Sequence, residues 1–132
     1  SVAPPPPPPP SCQWLNVGTH INPPFWSSYH IFSLADDAPS TRRILASIPC
    51  ADGGAPFWIH DFAATRRSVV VLEQPAAYSV AAMIGVASAT HGSVDWQPER
   101  GTRVHVLDRD TGALTTHVVQ VRPVGPIGTL PT

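Results

Sequence analysis

Six histidines are the residues of this chain best suited to chemistry: His20, His30, His60, His91, His105 and His117. Imidazole works near neutral pH as a general base, a proton shuttle or a metal ligand. None of the six falls into an HxH, HxxxH or HExxH spacing, so no self-contained zinc site is legible. The acidic residues offer no more. Asp36-Asp37 precedes Ala38-Pro39, and the run "DRDTG" from Asp108 to Gly112 lacks the sixth-position glycine and later glutamate of a calcium-binding loop. Both read as solvated turns. No GxSxG elbow and no glycine-rich phosphate loop occurs. Cys12 and Cys50 form no CxxC, which makes reduced thiols the default reading over a disulfide.

His60 stands apart because of its surroundings. In "WIHDFAATRRSVVVLEQP", residues 58 to 75, it lies beside Asp61 and between Ile59 and Phe62, with Trp58 two positions away. At the inner end of a strand, such an apolar setting leaves a neutral imidazole able to ligate a metal with little competing water. On residue chemistry alone, a core histidine or a hydrogen-bonded strand end is the commoner outcome.

The elements that must position these residues are short β-like runs separated by turn residues. "WLNVGTHI" comes first. In "YHIFSL", Tyr29, Ile31 and Ser33 alternate with His30, Phe32 and Leu34, which suits a strand with both faces partly apolar. "TRRILASIPC" sets Ile44, Ala46 and Ile48 on one face and ends at Pro49. After the turn chemistry of "ADGGAP", "FWIHDFAAT" leads into "RRSVVVLEQP", whose β-branched run predicts a central, buried strand closed by Pro75. Residues 76 to 95 are Ala-rich but contain Gly85, and read as a short helix or irregular segment. "GTRVHVLDRDTGALTTHVVQV" reads as a hairpin with "DRDTG" as its turn. This succession of strands and turns predicts an all-β sandwich, barrel or propeller.

Bulk properties narrow the classes. A chain of 132 residues with 42% apolar residues holds one domain or a piece of a larger one. A formal charge of −1 with 13% charged residues leaves no electrostatic footprint for nucleic acid. No apolar run approaches the roughly 20 residues of a membrane-spanning helix. Residues 1 to 13 form a low-complexity segment whose seven consecutive prolines, Pro4 to Pro10, favour an extended polyproline II rod, and residues 123 to 132 form a loose Pro/Gly tail.

The run "IHDFAATRRSVVVLEQP" resembles the histidine-containing signature of the carotenoid cleavage oxygenases. Ile59, His60, Asp61, Phe62, Ala63, Thr65, Val69 to Leu72 and Pro75 follow that pattern in order. The flanks "LNVGT", "YHIFSL" and "IPCADGGAPFWIHDF" are similar to the family's approach to this site, and "VDWQPERGTRVHVLDRDTG" resembles its later hairpin. The likeness covers roughly Trp14 to Leu114. It implies a seven-bladed β-propeller, of which residues 14 to 122 supply about two blades. It also implies an axial Fe(II) held by four histidines, with His60 as the second ligand. The implied reaction is oxidative cleavage by O₂ of a conjugated C=C bond in a carotenoid or apocarotenoid substrate. Trp58, Asp61 and Phe62 then shape the ligand's surroundings.

The same likeness marks departures. The family's first ligand is expected upstream of "WLNVGT", where the prolines stand. The third follows the hairpin in an "FH.xNAYE"-like stretch that "HVVQVRPVGPIGTLPT" does not match. No ligand role passes to His20, His30, His91, His105 or His117, and Glu73 and Glu99 do not match the glutamates that support the ligands. A single imidazole does not retain Fe(II) against water, so this stretch alone is expected to be inactive. Its uncovered edges and faces are expected to make it unstable in isolation. The alternative is a stand-alone β-rich interaction module in which the polyproline run is a docking site and His60 is structural. Compartment is not legible: plastid and cytoplasm are both open, as is peripheral membrane association of a complete protein.

Overall fold

The structure, a computed structural model, describes residues 13–22, 26–50, 55–83, 85–87 and 92–120. The polyproline segment, Cys12, His91 and the Pro/Gly tail lie outside the described residues.

Among the described residues, eight strands form two antiparallel sheets. The first contains β1 (Gln13–Asn22), β2 (Trp26–Ala35) and β3 (Ala38–Pro49) in that order. The second is built from β4 (Phe57–Ala64), β5 (Ser68–Tyr78), β7 (Thr102–Asp108) and β8 (Leu114–Val119), with β6 (Val94–Trp96) pairing the end of β5. The all-β expectation is met. The described helical structure is limited to one turn, α1 (Val80–Met83), and a 3₁₀ turn at Pro98–Arg100.

The two sheets stack face to face. Tyr29 and Ile31 of β2 and Ile48 of β3 meet Val69 and Val71 of β5 and Leu107 of β7 in one buried cluster. Leu15 and Val17 of β1, Ile59 and Phe62 of β4, and Leu114 of β8 pack around it. Period-two alternation does this work: of the two alternating sets on β2, Tyr29, Ile31 and Ser33 point inward. Each fully buried aliphatic side chain contributes about 1.5–3 kcal/mol.

Three local expectations are corrected, and each correction has the same physical origin in strand register. Ile44 does not share a face with Ile48. Leu45 is an extra residue in β3 between the pairs Ile31↔Ala46 and Phe32↔Ile44, and this bulge turns Ile44 outward to 49% exposure. Pro75 does not close β5, which continues to Tyr78. Proline is tolerated there because the ladder is interrupted: the partner changes from β7 opposite Glu73 to β6 opposite Ala76, and the carbonyl of Pro75 accepts from the Gln97 N–H at 2.8 Å. Consequently Ala76 and Ala77 are buried strand residues, and only Val80–Met83 of the Ala-rich stretch is helical.

The "DRDTG" turn is as expected. Gly112 takes φ 74°, and the Asp108 carboxylate accepts from the N–H groups of Asp110 and Thr111 at 2.8 and 3.0 Å. These bonds hold the carboxyl below its ordinary range.

Candidate functional site

His60 lies on β4, an edge strand of the second sheet, and its side chain is exposed. The sequence placed it at the inner end of a strand in an apolar setting; the register explains the difference. Ile59 pairs with Glu73 and Phe62 with Val71, so His60 and Asp61 together oppose the single residue Leu72. This is a bulge. Ile59 and Phe62 pack against the buried cluster, while His60 and Asp61 turn out. The Asp61 carboxylate accepts from the N–H of Phe62 at 2.7 Å, stabilising the bulge with a local side-chain bond. Adjacent His and Asp thus divide the work: Asp61 shapes the backbone and His60 is presented by it.

The surroundings of the imidazole are aromatic. The Trp58 ring lies 6.3 Å from that of His60, centroid to centroid, and stacks at 22° on Tyr78 at 6.4 Å. The imidazole nitrogens of His60 engage no hydrogen-bonding partner among the described residues, which leaves both open to a ligand from outside them.

Behind β4 is a polar network that the sequence reading did not connect. Glu73 of β5 and His105 of β7 are buried between the sheets, with Oε2 to Nε2 at 2.7 Å. The Nδ1 of His105 reaches the Thr116 hydroxyl at 2.9 Å. A ring whose Nε2–H donates to the carboxylate uses Nδ1 to accept from Thr116. Tyr29, from the other sheet, places its hydroxyl 3.4 Å from Glu73 Oε1 and 3.3 Å from the Phe57 carbonyl, and accepts from the Phe57 N–H at 2.5 Å. Burial, reinforced by the nearby Glu73 carboxylate, pushes the Tyr29 phenol far above its ordinary value, so it stays protonated. Cys50, also buried, is a free thiol raised chiefly by burial. The signal for this network was present in the alternation. Val69, Val71 and Glu73 share a face, as do His105 and Leu107, so an inward Glu and an inward His on neighbouring strands were legible.

The other described histidines do not converge on His60. His20 and His30 stack on each other at 4.9 Å, with His30 Nε2 3.1 Å from the Ser28 hydroxyl, and His117 is exposed on β8. Among the described residues no group of three or more His, Cys, Asp or Glu side chains is arranged to hold a metal ion. These residues therefore do not fit a complete iron centre. No helix among them is long and apolar enough to cross a membrane.

Two stacked antiparallel sheets are consistent with part of a β-propeller, and the comparison with known proteins supports that fold. The profile of the retinal pigment epithelial membrane protein family matches residues 8–125, and the chain belongs to that family. It is 32% identical over 94 residues to carotenoid cleavage dioxygenase 8 homolog A, chloroplastic, of rice, covering 71% of this chain and 17% of the relative. It is 27% identical over 108 residues to the mitochondrial carotenoid-cleaving dioxygenase of Macaca fascicularis, covering 75% of this chain and 19% of the relative. A Synechocystis apocarotenoid oxygenase variant superposes with a TM-score of 0.59 at 16% identity, over 83% of this chain and 22% of that one. A cobalt-substituted form of that enzyme gives 0.56 at 19% identity, over 82% and 21%. The chain thus spans less than a quarter of the length of these relatives.

Proposed function

We propose that this chain is part of a non-heme Fe(II) dioxygenase that cleaves a conjugated C=C bond of a carotenoid or apocarotenoid with O₂, giving two carbonyl fragments. His60 contributes one of the imidazoles that hold the iron. The observation that carries this reading is the "IHDF" bulge on β4, which presents an exposed imidazole within the stretch that matches the family. Imidazole suits Fe(II), and iron bound this way supplies open coordination positions for O₂. Trp58 and Tyr78 contribute a stacked apolar surface beside that position, of the kind that receives a flat polyene.

One imidazole does not retain Fe(II) against water, and on this reading the 132-residue chain needs ligands from the rest of a complete enzyme for dioxygenase activity. On this reading residues 14 to 122 contribute about two blades of the complete propeller. The compartment differs among relatives, which include chloroplastic and mitochondrial proteins. Peripheral contact with a membrane would supply the lipophilic substrate to a complete enzyme. The test is polyene cleavage by a polypeptide of the relatives' length that contains these residues, wild type against His60→Ala. Loss of cleavage and of iron together supports the ligand role; retained iron in the variant contradicts it. Family membership leaves the stand-alone interaction module without support.

A further inference from the structure

β4 is an edge strand among the described residues, and an N–H on its open side has no described strand to pair with. At Phe57, the first residue of β4, that N–H goes instead to the Tyr29 hydroxyl of the other sheet. The one proton of that hydroxyl is shared between the Phe57 carbonyl at 3.3 Å and Glu73 Oε1 at 3.4 Å. Tyr29 is in turn fixed by Glu73, and Glu73 by His105, which is fixed by Thr116. The tie therefore runs from β8 through β7, β5 and β2 into the start of β4, three residues before His60.

We propose that Tyr29, held by the buried Glu73–His105 pair, is a positioning residue for His60: it fixes Phe57, and thereby the segment of β4 that presents the imidazole. The hydrogen bonds alone support the mechanical part; its bearing on iron rests on the reading of His60 as a ligand. The geometry favours this role over general packing because the tie ends on backbone atoms of the strand that has a neighbour on one side only. On the side facing β5 the Tyr78 N–H donates to the Pro56 carbonyl at 3.0 Å, and the buried Phe57 ring packs with Ala77 beneath Arg100 at 4.5 Å, so the Phe57 backbone groups on the open side are left to Tyr29.

The test is amide hydrogen exchange and histidine ring-proton NMR on the full 132-residue chain, comparing wild type, Tyr29→Phe and Glu73→Gln. In wild type the Phe57 amide is protected like ladder amides. In Tyr29→Phe it exchanges at least about tenfold faster while amides of the β5–β7 ladder change less than about twofold, as expected for loss of one local bond. The ring-current shift that Trp58 imposes on His60 then collapses toward that of a free histidine. Glu73→Gln, which retains an oxygen for the phenol, gives a smaller change in the same direction and serves if Tyr29→Phe does not fold. An unprotected Phe57 amide in wild type overturns the tie. A uniform rise at all amides, or an unchanged His60 shift despite fast exchange at Phe57, overturns the positioning role. If the tie holds but His60→Ala leaves iron in the longer polypeptide, the ligand reading fails and the tie stands.

Discussion

Glu73 and His105 meet in the interior with Oε2 and Nε2 2.7 Å apart, their side chains 1% and 2% exposed. The pair joins β5 to β7 on the face that meets the first sheet, and Tyr29 and Thr116 complete its hydrogen bonding. A buried polar pair so satisfied contributes uniqueness of arrangement, whereas half of one is costly.

Glu73→Ala and His105→Ala are each expected to destabilise the chain by about 3–5 kcal/mol, because each leaves the other group buried and unpaired. Urea denaturation of both single variants and the double variant checks this. The double variant is expected to lose much less than the sum of the singles; additive losses would show that the two side chains act independently.

How much of this was legible in the sequence depends on the length scale of the cause. The strands, the "DRDTG" turn and the all-β class follow from alternation and turn chemistry, which are local. The inward faces of Val69, Val71 and Glu73 were legible for the same reason. Bulges were not: Leu45, the break at Pro75 and the His60–Asp61 pair owe their positions to which residues lie across the ladder, and that is decided by partner strands far away in sequence. This is why Ile44 and His60 are more exposed than their neighbours in sequence suggested. The candidate metal ligand was legible only through a resemblance; no spacing of histidines marks it.

Asp108 provides a pH test. The N–H groups of Thr111 and then Asp110 lower its carboxyl in the folded chain, so its stabilising effect is present above the unfolded carboxylate pKa and disappears as pH falls through the depressed folded value. The stability difference between wild type and Asp108→Ala is therefore expected to be constant at neutral pH and to shrink on acidification. A difference that grows toward acid would reverse the assignment.

Cys50 is expected to resist alkylation in the folded chain. Its raised pKa keeps the thiol protonated at neutral pH, and its burial excludes the reagent. In a Cys12→Ser background, iodoacetamide at pH 8 should label the native protein at least about tenfold more slowly than the urea-unfolded protein. Equal rates would mean that this part of the core is open.

Gly101 occupies φ 69°, and a Cβ placed there would lie 2.8 Å from the Val119 carbonyl oxygen. Gly101→Ala is expected to cost about 1–3 kcal/mol through strain and to loosen the entry of β7 against the end of β8. Thermal denaturation measures the first effect and amide exchange at Arg103 and Val118 the second; an unchanged midpoint would show that β8 yields freely at this point.

Iron stoichiometry addresses the central proposal most directly. Metal content is measured by mass spectrometry on a polypeptide of the relatives' length containing these residues, with and without His60→Ala, and on the 132-residue chain alone. The expected result is about one iron per longer polypeptide, loss of most of it in His60→Ala, and no tightly held iron in the short chain. Iron retained by the His60→Ala protein, or bound tightly by the short chain, would contradict the assignment of His60 as one corner of a shared centre.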